Sequence, residues 1–318
     1  MAATVAHTLA SGDVFFKSAL IEGRPTQVRC VEIGSQVFGI GGSMLRTAGL
    51  DDDWYDDVRD PVAVIDALKA RRDLRVDLFT FWQRPPDVEP RYEYYHELED
   101  VAILPITTYD DWLRKRINAK TRNMVRKGEK RGVTVELTEY DDDFVRGMTN
   151  IFNETPYRQG RRFWHYGKDF ETVRHQFSAF IHRETMIRAD LDGELIGLVM
   201  LGNAGRFALV QQVLSSLAHR DKAVNNALIA KTIEFCAQRG FENLCYYYWG
   251  DDSLTTFKRN CGFECISVPR YYVPLTMKGK LALRVGAHRG LVNMIPPHHR
   301  QTLKQYRGRL YALRGRGT

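Results

Sequence analysis

Three stretches of this chain hold side chains able to move a proton, grip an anion or steady a developing charge. Asn153 to Lys168 reads Asn-Glu-Thr-Pro-Tyr-Arg-Gln-Gly-Arg-Arg-Phe-Trp-His-Tyr-Gly-Lys, too polar and aromatic for a plain connector. Glu154 or His165 can serve there as base, and Arg158, Arg161 and Arg162 can bind a carboxylate or phosphate. Trp164 and Tyr166 can stack on an acceptor, although a histidine among aromatics also suits a core position. In Phe257-Lys258-Arg259-Asn260-Cys261-Gly262, Lys258 can stabilise developing negative charge or a donor phosphate; its plainer role is that of an exposed helix lysine, and Phe257 suits the core as well as a donor contact. Asp251 and Asp252 are rival bases that equally suit a helix N-cap before Ser253. The turn His219-Arg220-Asp221-Lys222, followed by Asn225 and Asn226, opens a helical pattern whose first amides can receive an anion. Acyl transfer to an amine needs these parts: an anchored donor, an oxyanion stabiliser, a base, and an acid for the leaving group. Backbone amides of Val213, Leu214 and Ser215 supply the oxyanion donors if their strand splays from its neighbour.

The elements around these residues follow from periodicity and punctuation. Asn243 to Trp249, bounded by Gly240 and Gly250, predicts a buried strand, giving a local order of strand, helix, strand, helix, strand. Earlier, Val14 to Phe16, Gln27 to Glu32 and Val37 to Ile40 predict a first sheet, and Asp60-Pro61 opens a helix through Leu68. Leu74 to Trp82 reads as a strand and Tyr92 to Leu104 as extended chain, with a helix beginning near Thr108. A basic helical segment with Arg122, Arg126 and Lys130 on one face then precedes the strand Val133 to Leu137. That face either shelters a core under its long stems or meets phosphates. Helices are expected over Phe144 to Phe152 and Phe170 to Ile181.

A chain of 318 residues with 44% hydrophobic content can bury a large core, which excludes a disordered class. No apolar run reaches membrane-spanning length and the amino end lacks a secretory pattern, so a cytoplasmic protein is expected, with surface association to a membrane left open. The five cysteines lack zinc spacing, and neither metal nor disulfide is expected. No acidic residue follows Glu264, whereas eleven Lys and Arg do, so the whole net charge of +7 comes from that end. Such a segment fits RNA, a phosphorylated substrate or an anionic membrane, or folds back over an acidic face of the same protein.

Lys120-Thr-Arg122-Asn-Met-Val-Arg126-Lys127-Gly-Glu-Lys130-Arg131-Gly132-Val133 resembles the Lys-x-Arg-x-x-Ile-Arg-Lys-Ala-x-Lys-x-Gly-Val segment of the Fem family of aminoacyltransferases, which build peptidoglycan cross-bridges. Phe257-Lys258-x-x-Cys261-Gly262 resembles that family's Phe-Lys-x-x-Phe-Gly, and Thr185 to Leu275 is similar to the wider GNAT superfamily of acyltransferases. The resemblance implies an α+β fold of two GNAT-like domains with mixed, mainly antiparallel sheets, the donor in the second and the acceptor in the groove between. The expected division is a degenerate first domain over 1–140, a donor-binding domain over 141–275 and a basic helical tail over 276–318. At the donor turn, Arg220-Asp-Lys-Ala223-Val-Asn225 replaces both glycines of the GNAT pattern Gln/Arg-x-x-Gly-x-Gly/Ala. The wider superfamily's usual donor makes the expectation an N-acyltransferase using acyl-CoA such as acetyl-CoA. Aminoacyl-tRNA, supported by the missing glycines, the Fem-like basic helix, Phe257-Lys258 and the basic end, is the alternative donor. The acceptor would be a small-molecule or peptide amine. A third reading is a non-catalytic module that binds RNA or membrane.

Overall fold

The computed structural model describes residues 11–21, 24–158 and 160–289; of the expected tail, only 276–289 falls within them. Four strands begin the chain as an antiparallel run: β1 (Ser11–Ile21), β2 (Arg24–Ile33), β3 (Gln36–Gly41) and β4 (Thr47–Leu50). Asp60 then caps α1 (Pro61–Ala70) by accepting from the Ala63 amide, with Pro61 pre-set for the first turn. Val64, Ile65 and Leu68 of α1 pack on Phe38, Phe79 and Phe81 of the sheet. The chain returns as β5 (Leu78–Trp82), parallel to β4. This strand is shorter than expected because Arg72–Leu74 form a 3-10 turn and Arg75 takes a left-handed φ of 53°.

After β6 (His96–Pro105), Thr108 caps the single turn α2 (Tyr109–Asp111), which passes through a π-turn into α3 (Ala119–Lys130). Next come β7 (Thr134–Thr138), α4 (Asp142–Asn153), the two-residue strands β8 (Tyr157–Arg158) and β9 (Arg161–Arg162), and α5 (Phe170–Gln176), which stops short of Ile181. A second antiparallel run follows: β10 (Glu184–Leu191), β11 (Glu194–Ala204) and β12 (Phe207–Ser215). Then α6 (Val224–Gln238) leads to β13 (Asn243–Cys245), parallel to β12, and α7 (Ser253–Asn260), β14 (Glu264–Pro274) and α8 (Met277–Arg284) complete the described elements.

The same plan therefore occurs twice: an antiparallel run of strands, a helix, and a strand parallel to the last of the run. Sheet order makes the repeat explicit: β1-β2-β3-β4-β5-β14-β6-β13-β12-β11-β10-β7. At the centre the halves exchange strands. β6, which follows β5 in sequence, pairs with β13, while β14, which follows β13, pairs with β5, and the two exchanged strands pair with each other. β7 lies ahead of the boundary expected at residue 140 and pairs with β10. The α+β architecture expected from the sequence, mixed and mainly antiparallel sheet flanked by helices, is the one found. Helices α3 and α6 cover one face of the second half through Val125, Val199, Val224 and Leu228. On the other face α4 and α5 pack through Phe144, Phe152, Val173 and Met200. No described helix is long and apolar enough to cross a membrane.

Candidate active site

A fork in the sheet organises the site. β12 and β13 pair at only three positions, Phe207 with Asn243, Ala208 with Leu244 and Leu209 with Cys245. Beyond them β12 continues beside β11 to Ser215, whereas the other arm follows β6, with Tyr246 N donating to Ala102 O and Trp249 N to Asp100 O. The strand expected over Asn243 to Trp249 thus ends at Cys245, because the chain turns away, with Tyr248 at φ 28°. Val213, Leu214 and Ser215 lie on the free arm of β12, where the splay required of oxyanion donors is present.

The donor turn lies on the α6 face. The first turn of α6 sits against Gly197, the partner of Ser215; a Cβ there would stand 2.6 Å from Val224 Cγ1. No side chain caps α6, and the amides of Val224 and Asn225 make no hydrogen bond among the described residues. Such amides carry the positive end of the helix dipole. Asn225 Oδ1 is buried without a partner, while Asn226 donates its amide to Ala223 O. Arg220 is exposed and Lys222 lies 3.9 Å from Asp221. Ala223 occupies the first lost-glycine position and keeps the left-handed conformation, φ 58° and ψ 33°. The backbone bend thus survives without the glycine, at a strain of about 1–2 kcal/mol. Ala223→Gly is expected to stabilise the protein by about 0.5–1 kcal/mol after the loss of unfolded-state restriction. A thermal melt checks it; a lower midpoint would mean that the packing of the buried methyl outweighs the relief.

α3 lies alongside this turn, since a Cβ on Gly128 would come 3.1 Å from Ala227 Cβ and 3.6 Å from Lys222 O. Arg122 is not free for phosphate. Its Nη1 donates to the carbonyls of Leu113, Arg114 and Ile117, closing the end of the π-turn. The side chains of Lys120, Arg126, Lys127, Lys130 and Arg131 make no hydrogen bond or ion pair among the described residues, and all but the half-buried Lys127 are exposed.

Lys258 is not an exposed helix lysine: its exposure is 1%. Asp252 caps α7, so that Lys258 on the next turn points inward, and its Nζ donates to Tyr247 O and Tyr248 O at 2.6 Å each while lying 4.4 Å from the Tyr246 ring. Its role in the structure is to clamp the diverging arm. Phe257 packs, partly buried, against the core under α6, and Asp251 is exposed one residue before the cap.

The loop over 153–168 docks on the end of β12. Glu154 Oε2 accepts from Arg158 Nη2 and from the Leu217 amide, both at 2.9 Å. Arg158 also donates to Ser215 O and Ile151 O. Both residues are therefore committed to holding the loop against β12, which argues against Glu154 as base and Arg158 as an acceptor ligand. His165, 2% exposed, stacks on Phe152 at 4.1 Å. Burial first, then the charges of Lys168 and Arg158, push its pKa down to about 3, so it is a core imidazole and a poor base. Trp164 lies beneath the Lys168 ammonium at 3.9 Å and, with Tyr166 and Arg162, reaches solvent. Arg161 lies on β9, and its side chain is outside the described residues.

Three residues that the sequence reading missed meet on the opposite face of β12. Tyr55 Oη donates to Glu184 Oε1 at 2.7 Å and accepts from Gln211 Nε2 at 3.0 Å. The β11–β12 register skips at Gln211, and this bulge lets Gln211 and Gln212 line one cavity of about 110 Å3 together with Glu184, Met200, Phe177 and Phe180. Met200 belongs to the α4 face, so cavity and donor turn lie on opposite faces of the strand that forms the fork. Two adjacent glutamines in an otherwise apolar strand were the one visible signal. A larger cavity of about 250 Å3, between α3, α6 and β7, is lined by none of the fork residues. Among the described residues no three His, Cys, Asp or Glu side chains gather as a metal site would require.

No protein-family profile matches the sequence, and no curated protein matches it. Solved structures do resemble it in fold. FemX superposes with a TM-score of 0.57 at 12% identity, over 86% of this chain and 90% of that one. The C-terminal domain of a putative lysylphosphatidylglycerol synthetase from Agrobacterium fabrum gives 0.52 at 14%, over 79% and 84%. L-PGS from Bacillus licheniformis gives 0.51 at 13%, over 79% and 86%. At these identities the likeness is one of fold.

Proposed function

We propose that this protein transfers an acyl group to an amine, with the donor held by its phosphates at the amino end of α6 and its carbonyl seated in the fork beside Val213 to Ser215. One observation carries the reading: a strand fork with an uncapped helix terminus on one face and, on the other, a cavity that holds Glu184, Gln211 and Gln212 among apolar side chains. Amides fixed beforehand toward the site of developing charge are the kind of stabilisation acyl transfer requires. The names of the fold neighbours, FemX and lysylphosphatidylglycerol synthetase, fit the transfer of an aminoacyl group.

Aminoacyl-tRNA is the donor that the surface favours over acyl-CoA. Five Lys and Arg without partners among the described residues run from Lys120 to Arg131 beside the donor turn, a length of about 16 Å along the helix, more than one pyrophosphate spans. The acceptor is then a small-molecule or peptide amine. Contact with an anionic membrane is supported at the start of the basic end, where α8 exposes Met277 and Leu281 beside Lys278 and Lys280. Calorimetry with a charged tRNA pool and with acetyl-CoA tests the donor. The double variant Arg126→Glu, Lys130→Glu is expected to weaken tRNA binding by about 10–100-fold near 0.1 M salt and to flatten its salt dependence. Acetyl-CoA binding untouched by that variant, with no tRNA binding, would make the donor a thioester.

A further inference from the structure

The cavity beside Gln211 and Gln212 has one charged side chain in its wall, Glu184. Its Oε1 is fixed by the Tyr55 hydroxyl, itself held by Gln211 on the forked strand. Its Oε2 is buried and has no partner among the described residues. Neighbouring cations do not supply one: Arg183 is spent on Asp56 and the Tyr55 carbonyl, and His182 is exposed. Burial raises the Glu184 pKa against the pull of Tyr55 and His182. A carboxylate so placed is satisfied best by a cation bearing N–H donors. Phe177 and Phe180 add apolar ring faces that suit both an aliphatic stem and its ammonium, and about 110 Å3 is room for several water-sized groups.

We infer that this cavity receives the acceptor as a primary alkylammonium and that Glu184 takes its proton, an assignment that rests on the acyl-transfer reading. The ammonium gives one proton to Glu184 Oε2, and the free amine attacks the donor carbonyl through the fork, forming the C–N bond. The tetrahedral intermediate then expels the leaving thiolate or alkoxide. The second proton lost by nitrogen ends on that leaving group, and Glu184 returns its own proton to solvent. Tyr55 is a positioning residue, because its hydroxyl holds the carboxylate, and Gln211 acts through Tyr55.

The full chain titrated with n-butylammonium chloride, followed by NMR, is expected to show saturable binding that 1-butanol does not reproduce. Glu184→Gln is expected to weaken it at least tenfold. Ala179→Trp, at the exposed rim of the cavity, is expected to weaken it as strongly while leaving the carboxylate, and it keeps the test decisive if the glutamine variant fails to fold. No saturable binding by the wild type, or undiminished binding by the folded variants, overturns the site. Transfer from acetyl-CoA or aminoacyl-tRNA to the same amine separates the two proposals. Equal product rates with and without the Glu184 carboxylate would remove its role and leave acyl transfer standing. Amine binding that depends on Glu184, with no product from either donor, would keep the site and remove acyl transfer.

Discussion

Lys258→Met is expected to destabilise the protein by about 2–4 kcal/mol and to abolish transfer. The substitution keeps the apolar stem but leaves Tyr247 O and Tyr248 O without the ammonium that now holds both at 2.6 Å. A buried acceptor without a partner costs about 1–3 kcal/mol, offset in part because a cation no longer has to be desolvated. Activity suffers beyond stability, since those carbonyls set the course of the arm that opens the fork. Urea unfolding beside a transfer assay checks both effects. A stable, active methionine variant would show that Tyr248 holds its φ of 28° without help. The lysine also leaves a pH signature. Burial, opposed by Asp252 and Cys245, pulls its pKa from 10.5 down to about 8. Between about pH 8 and 10.5 the unfolded chain binds more protons than the folded one, so stability rises with pH across that window and is level below it. The methionine variant should lack the rise.

Acid should loosen the protein through His165. Its pKa falls from 6.5 to about 3 on folding, so the unfolded chain takes up a proton that the folded chain refuses. The stability linked to this group is complete above pH 6.5 and declines as pH drops toward 3, by a total of about 4–5 kcal/mol. His165→Phe, which keeps a ring stacked on Phe152, is expected to flatten the acid limb while leaving stability at pH 7 within about 1.5 kcal/mol. Urea midpoints at pH 7.5 and 4.5 decide it. Equal slopes for both proteins would mean that the acid limb belongs to paired carboxylates held below their usual range, such as Asp77 and Glu97.

Local chemistry was legible in the sequence, and long-range pairing was not. Asp60-Pro61, Thr108, Asp252 before α7 and the strand–helix alternation after residue 207 are written in neighbouring residues, and the structure has them as expected. The splay beyond Leu209 was foreseen only as a condition, because a fork depends on what β6 offers the departing arm. Lys258 carried a motif but not its burial, which comes from the Tyr246 to Trp249 turn folding over it. Glu184 passed unnoticed because the hydroxyl that defines it, Tyr55, stands 129 positions earlier. The loop over 153–168 misled for the opposite reason: its polar side chains were all visible, yet Glu154, Arg158 and His165 hold the loop in place.

The central strand exchange sets a timetable for synthesis. Thr80 on β5 bonds to the carbonyl of Tyr271 on β14, 191 positions later. At about 5–20 residues per second, a nascent chain waits on the order of 10–40 seconds after making β5 before its partner exists. Throughout that interval β5 presents an open hydrogen-bonding edge flanked by Phe79 and Phe81, the kind of template on which stray chains assemble. Slow decoding between β6 and β14 lengthens the exposure, so yield in a cell should depend on translation speed and chaperone supply more than on the final stability of the fold.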